Sequence, residues 1–286
     1  AVIVGKFSSS LSGNLAQPNH YANYLALGLV SLGMLYQTQK IKLRYVVPLL
    51  LPLLFVLALS GSRSSWLYVL MMTILASWFA YRNRELRALK WFSWAALGGF
   101  ALMHFVVQLP FIAHASASLN TLDRMFGSDA NGSIRLYLWR EGVAIFSQHP
   151  WLGVGFGQFA LQHFELQRLQ LHSLPGLYTH AHNLLFQLAA ETGVLGVAVL
   201  LACMVTWCWG NYLTREFSAA HYWGYATLGV LAIHSLLEYP LWYAYFLAIA
   251  AVLLGMFDVR RFELRLPALL RVTLAAVWLF GAFSLW

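Results

Sequence analysis

The segment Tyr178-Thr179-His180-Ala181-His182-Asn183-Leu184-Leu185-Phe186 places two histidines, two residues apart, immediately before an apolar run. A neutral imidazole is suited to taking a proton from a hydroxyl, because it titrates near neutral pH. His182, nearer the start of the following helix, is the candidate base, and His180 stands beside it. A plainer reading makes both of them caps or bridges for backbone groups at a membrane border. Paired histidines also suggest a metal, but no carboxylate or cysteine adjoins them and the chain has no Asp-x-Asp pair. No metal site and no cofactor are expected.

Three arginines are candidates for a negatively charged ligand. Arg63 lies in Ser60-Gly61-Ser62-Arg63-Ser64-Ser65, where small neighbours leave space around a guanidinium whose rigid fork of donors suits phosphate oxygens. Its alternative is an arginine that snorkels to lipid head groups. Arg135 and Arg140, five residues apart in an amphipathic stretch, point about 140° apart around a helix and need not share one ligand. A phosphate contact at the membrane surface and a solvated face shared with Glu141 both stay open. Gln17-Pro18-Asn19-His20 and His234-Ser235-Leu236-Leu237-Glu238-Tyr239-Pro240-Leu241 are polar sequences at apolar borders. Their amides are also fit to satisfy helix ends, and His234 and Glu238, four apart, are placed for a local pair.

The elements that must hold these residues follow from composition. The chain has 286 residues, 60% hydrophobic and 10% charged, against roughly 45–50% and 25% in soluble domains. That excludes an ordinary water-soluble globule. Apolar runs near 21–37, 43–60, 64–80, 91–109, 184–209, 222–237, 240–257 and 267–286 match the roughly 17–25 residues of a tilted spanning helix. The reading is an all-α polytopic membrane protein. Pro48 and Pro52 are expected to kink the second span. Cys203 and Cys208 share one apolar run and are not expected to form a structural disulfide. The chain opens at Ala1 without a signal peptide and stops at Trp286 inside an apolar run, so a piece of a longer protein is expected.

Of the 18 basic residues, twelve fall on one side: Lys40, Lys42, Arg44, Arg82, Arg84, Arg87, Lys90, Arg215, Arg260, Arg261, Arg265 and Arg271. The positive-inside rule makes that side cytoplasmic. Lys6, Arg63, Arg124, Arg135, Arg140 and Arg168 then lie outside, with Gln17, Asn19, Glu238 and most histidines. The net charge of +8 belongs to this topology, and no nucleic acid partner is implied. The outer segment 110–183 is far longer than an ordinary connection. Within it, Ile134–Ser147 is predicted to be an amphipathic helix ended by His149-Pro150, with a turn at Gly153-Val154-Gly155-Phe156-Gly157 and a second helix over Gln158–Leu171.

These residues form an ordered set. Gly13-Asn14-Leu15-Ala16-Gln17-Pro18-Asn19, Ser62-Arg63-Ser64-Ser65-Trp66-Leu67, His149-Pro150-Trp151-Leu152-Gly153-Val154-Gly155-Phe156-Gly157-Gln158-Phe159, His182-Asn183-Leu184-Leu185 and the His234–Leu241 run together resemble the bacterial O-linked oligosaccharyltransferases, or pilin glycosylation ligases, of the O-antigen ligase and polymerase superfamily. The resemblance implies a GT-C-type helical bundle with a large helical periplasmic loop, in the bacterial inner membrane. It divides the chain into a periplasmic segment 1–20, four transmembrane helices across 21–109, the loop 110–183 and four transmembrane helices across 184–286. Members carry additional spans before the region matching residue 1.

The implied reaction moves a preassembled glycan from undecaprenyl diphosphate to a Ser or Thr hydroxyl of a periplasmic protein such as pilin. The implied partners are therefore a lipid-linked oligosaccharide donor, a periplasmic acceptor protein and the bilayer. By position, His182 is the base, Arg63 and Arg135 or Arg140 bind diphosphate, and Gln17, Asn19, His180 and Glu238 line the site. Rival readings are an O-antigen ligase acting on lipid A core sugar, an O-antigen polymerase, and a transporter for an anionic lipid or solute. The last is disfavoured by spans nearly free of mid-helix charge.

Overall fold

The computed structural model describes residues 11–15, 17–109, 130–169, 176–259 and 267–284. Lys6, Arg124, Arg260, Arg261 and Arg265, all assigned a side above, lie outside the described residues. Regular structure among the described residues is helical throughout: a turn at Gly13–Leu15, α1 (Pro18–Gln37), α2 (Leu43–Leu59), α3 (Ser64–Arg82), a turn at Arg84–Leu86, α4 (Arg87–Val107), α5 (Ala130–Gln148), α6 (Phe159–Leu169), α7 (Leu184–Thr214), α8 (Ala219–Ser235), a turn at Pro240–Trp242, α9 (Ala244–Met256) and α10 (Ala268–Ser284).

Local chemistry explains the boundaries. Pro18 opens α1 with its φ already helical, and the Gln17 side chain accepts from His20 N at 2.5 Å. Asn183 caps α7, its Oδ1 accepting from Leu185 N and Phe186 N at 2.9 and 3.2 Å. Ser218 does the same for α8 through His221 N at 3.2 Å. α5 stops at Gln148, immediately before His149-Pro150. α2 runs through Pro48 and Pro52 as one helix.

A single apolar core joins α1 to α4 with α8, centred on Ala26 and Leu29, Leu54 and Leu57, Met72, Ala76 and Phe79, Ala96 and Phe100, and Tyr222, Ala226 and Val230. Alanines at the contacts let the helix axes approach closely. The outward faces are also apolar: Leu43, Tyr45, Val47, Leu49 and Leu51 on α2, and Val194, Leu195, Val199 and Val205 on α7, are exposed.

Not every expected span appears as expected. Among the described residues α3 and α7 are long and apolar enough to cross a membrane, while α2 and α9 are apolar but shorter. The run 240–257 divides into a turn and the 13 residues of α9, because Pro240 starts a separate turn and Tyr243 is extended. α7 is longer than its apolar run and contains a break at Gly193, where φ is +64°.

That break is where the outer segment docks. Val154 N and Gly155 N donate to Ala190 O and Glu191 O at 3.0 and 2.9 Å, while Val194 N donates to Pro150 O at 2.8 Å. Gly153, at φ +65°, and Gly193 face each other so closely that a Cβ on Gly153 would sit 2.3 Å from Glu191 C and one on Gly193 2.3 Å from Trp151 C. The glycine-rich turn predicted here is therefore a backbone clasp that admits no side chain at either position. Above it lies a second small core of Leu138, Ile145, Phe159, Ala181 and Ala190. α5 presents Ile134, Leu138, Glu141 and Ile145 as its inner stripe, while Val143, an apolar residue of the same helix, is exposed.

The two ends of the core bundle are built differently. At the Gln37 end, Gln37 Nε2 donates to Glu85 O at 2.9 Å and its Oε1 accepts from Leu89 N at 2.8 Å. Nearby, Asn83 Nδ2 donates to Phe217 O at 2.9 Å, and Lys40, Lys42, Arg82, Arg84 and Arg87 stay exposed. The Asn19 end, about 27 Å away along α1, holds the candidate site.

Candidate active site

Glu238 is the centre of that end. Past Ser235 the chain closes one further turn, Glu238 N donating to His234 O at 2.8 Å, and Pro240 then redirects it. The side chain is thereby turned inward, and the residue is 2% exposed. A buried carboxylate needs partners on both oxygens. Oε2 accepts from His182 Nδ1 at 2.7 Å. Oε1 accepts from Asn19 Nδ2 at 2.7 Å and from Arg135 Nη2. Asn19 Oδ1 in turn accepts from Ser62 Oγ at 2.8 Å, which brings in the residue next to Arg63.

Four distant segments therefore converge on one carboxylate: the start of α1, the α2–α3 turn, the outer helix α5 and the entry to α7. Burial alone would push the Glu238 carboxyl up. The His182 hydrogen bond and the Arg135 guanidinium outweigh it and hold the group down at about 2. Glu238 is thus ionised at neutral pH, which makes His182 Nδ1 the donor and leaves Nε2 as the imidazole's acceptor. His182 itself is in the left-handed backbone region, at φ +52°, uncommon for a residue with a side chain.

His180 lies alongside. Its ring stacks on Tyr239 at 4.3 Å and meets the edge of Trp242 at 5.2 Å. Burial and the neighbouring His182 lower its pKa below the ordinary value. Tyr239 also stands edge-on to His182, with ring centroids 4.9 Å apart. Arg63 occupies the N-cap position of α3, half-buried.

The remaining candidates are placed elsewhere. Gln17 spends its side-chain oxygen on the α1 cap rather than on the cluster. Arg140 is exposed and points away from the inner stripe of α5. Glu141 does not share a solvated face with it: this carboxylate is buried and pairs with His163 Nδ1 at 2.6 Å, and burial raises its pKa despite that partner. The local His234–Glu238 side-chain pair is also absent, since His234 Nδ1 is hydrogen-bonded to Tyr68 OH at 2.8 Å. Among the described residues no group of three or more His, Cys, Asp or Glu side chains is arranged to hold a metal.

Sequence reasoning passed over Ser62 and Tyr239 as site residues, although both stand inside the motifs that flank Arg63 and Glu238. It also passed over Gln187 and Glu191, which lie one and two helical turns beyond the Asn183 cap and whose polarity in an apolar run was the available signal.

The family model described as O-Antigen ligase matches residues 48–201, more than half of the chain. The chain belongs to the O-antigen ligase family. Two shorter matches flank that region in this family member, a protein glycosylation ligase model over residues 12–36 and the C-terminal model of a virulence factor membrane-bound polymerase over 222–286.

The general O-oligosaccharyltransferase of Acinetobacter baylyi is 27% identical over 292 residues, covering 99% of this chain and 50% of that protein. The ComP-specific O-oligosaccharyltransferase of the same organism is 26% identical over 87% of this chain and 45% of its own length. The exopolysaccharide production protein ExoQ of Rhizobium meliloti is 33% identical over 91 residues, 30% of this chain. This O-antigen ligase family chain spans about half the length of the two oligosaccharyltransferases. Of the gathered residues, Arg135, His182 and Ser62 lie inside the O-antigen ligase match, Asn19 inside the glycosylation ligase match and Glu238 inside the polymerase match.

Proposed function

We propose that the full protein is a multi-pass O-linked oligosaccharyltransferase of the bacterial inner membrane, with its active site on the periplasmic face. The observation that carries this reading is Glu238 joining His182 on one oxygen to Arg135 on the other. A proton acceptor and an anion binder on one buried carboxylate are what displacement of a phosphate leaving group by a hydroxyl requires. The donor in this reading is a glycan on undecaprenyl diphosphate, and the acceptor a Ser or Thr of a periplasmic protein such as pilin. The relatives named as O-oligosaccharyltransferases support the reaction class.

The membrane placement rests on the exposed apolar faces of α2 and α7, which water would not tolerate over such an area. It rests also on the convergence of residues assigned to the outer side by the basic-residue count. The arrangement is a GT-C-type bundle with α5 and α6 in its periplasmic loop.

In the step we propose, His182 Nε2 takes the acceptor hydroxyl proton while Glu238 steadies the imidazolium that forms. The hydroxyl oxygen bonds to the anomeric carbon, and the bond from that carbon to the diphosphate oxygen breaks with its electron pair staying on the oxygen. Arg135 and Arg63 offset the charge growing there. Asn19 and Ser62 keep Glu238 oriented, and His180 with Tyr239 walls one side of the base. These residues supply binding, orientation and proton transfer without a cofactor.

A second reading has its own support. The polymerase match over 222–286 and the similarity to ExoQ favour a sugar acceptor in place of a protein. Both readings are tested with purified full-length enzyme, undecaprenyl-diphosphate glycan and either a Ser-containing pilin-like protein or lipid A core. The expected result is a mass increase of one glycan on the protein, reduced at least about a hundredfold in His182→Ala. Transfer to lipid A core or to a second lipid-linked glycan, with none to protein, transfers the assignment to the ligase or polymerase. No covalent product in any arm, with lipid or solute crossing the bilayer, assigns a transporter.

A further inference from the structure

His182 owes its aim to backbone that is conformationally unfavourable, and something must hold it there. The residue before it, Ala181, is fully buried, and its N–H donates to Gln187 Oε1 at 2.7 Å. Gln187 is 3% exposed, and its Nε2 donates to Glu191 Oε1 at 2.9 Å. Glu191, 1% exposed, accepts on the same oxygen from Phe159 N at 3.1 Å, the first residue of α6. From the other side, Asn183 Nδ2 donates to Leu236 O at 2.8 Å, which ties the residue after His182 to the turn carrying Glu238.

The relay has a direction. A carboxylate at the start of α6 satisfies a backbone N–H left without a partner inside its helix. By accepting from the Gln187 amide as well, it fixes which end of that amide is nitrogen. The amide oxygen is then forced toward Ala181. The clasp at Gly153 and Gly193 brackets Glu191, so the outer segment that carries Arg135 and the approach to α7 that carries His182 are both tied to one buried side chain.

We infer that Gln187 is a positioning residue for the base, holding His182 in its left-handed conformation through Ala181 N–H, and that Glu191 orients Gln187 for that task. The inference rests on the reading of His182 as the base. Gln187 touches neither donor nor acceptor. Its loss therefore lowers turnover and leaves donor binding in place.

The test uses full-length enzyme in lipid, a polyprenyl-diphosphate-linked glycan and the protein or sugar acceptor on which the wild type is active, with His182→Ala run alongside. Gln187→Met keeps length and volume without polarity, and Gln187→Asn keeps the amide without its reach. Each is expected to lower kcat by about 10–100-fold, the cost of misplacing a reacting group by about an ångström, with the donor KM within about threefold. Glu191→Leu is expected to lower kcat similarly. Glu191→Gln, which retains an oxygen for Phe159 N and Gln187 Nε2 and sets an NH2 where Glu191 Oε2 is buried without a partner, is expected to recover most of it. Amide hydrogen exchange over residues 178–183 should quicken in the Gln187 variants.

Folded Gln187→Met with wild-type kcat, or with its loss confined to KM, overturns the inference while leaving His182 as base. Failure of both Gln187 variants to fold assigns Gln187 to stability alone and overturns it too. Full activity of His182→Ala overturns the reading on which it rests.

Discussion

The two ends of the bundle solve the same problem with different chemistry. Both must tie together segments that are far apart in the chain. At the Gln37 end the ties are neutral side chains to backbone, Gln37 to Glu85 O and Leu89 N and Asn83 to Phe217 O, while the cations stay in solvent. At the Asn19 end the tie is a buried ionised carboxylate shared by a histidine, an arginine and an amide. Neutral hydrogen bonds suffice to close a helix bundle, and buried charge is the costlier device. Its use at one end alone is why we place the proposed chemistry there, with the partners of Glu238 suited to proton transfer and anion binding.

The largest expected effect comes from removing the shared carboxylate. Glu238→Ala leaves Arg135 and His182 facing each other without their common anion, and turnover in the full-length enzyme should fall by about 10³-fold or more, since a general base and its orienting acid act as one unit. Steady-state glycan transfer measures it; a loss below about threefold would remove the distinction between the two ends. Next comes Arg135→Lys, which keeps the charge but loses the planar fork. The expected outcome is a rise in donor KM of about tenfold with a smaller change in kcat, read from donor titrations.

A pH test sharpens the comparison without mutating the base. The Glu238 carboxyl is held down at about 2 in the folded protein against an ordinary 4.5. A depressed acid contributes stability that is present above 4.5 and is lost as pH falls from 4.5 toward 2. Thermal unfolding should therefore lose stability across that window, and Glu238→Gln should flatten the slope there. The smallest effect belongs to the opposite end. Asn83→Ala gives up the bond to Phe217 O and the cap on Glu85 N, at about 1 kcal/mol or about 2–4 °C in apparent Tm, with glycan transfer unchanged within about twofold.

Much of the scaffold was legible because its signals are local. The limits of α1 to α4 follow from apolar runs, Pro18 and the polar breaks at Gln37–Lys42 and Asn83–Leu86. The end of α5 follows from His149-Pro150. Glu141 was legible in principle, being in phase with Ile134, Leu138 and Ile145, yet an acid beside Arg140 reads as solvated until its partner His163 is seen. The clasp was not legible, because close approach of two glycines separated by forty residues leaves no periodic trace.

The site was legible as types and poorly as pairs. His182 and Arg135 stood out by residue type and position, and Glu238 through the family resemblance. Their bonds to Glu238 join residues 56 and 103 positions apart, and Asn19 lies 219 away. No helical or strand spacing links such positions. Gln17 went the other way: its type fitted a ligand contact, and the helix end next to it claimed the oxygen first.

The most direct test of the central claim is a double-mutant cycle on glycan transfer, comparing His182→Ala, Glu238→Gln and the double variant in the full-length enzyme. If Glu238 acts by orienting His182, the double variant loses no more turnover than the worse single one. If the two losses multiply, or if Glu238→Gln alone transfers glycan at the wild-type rate, the carboxylate does not serve the base and the account fails.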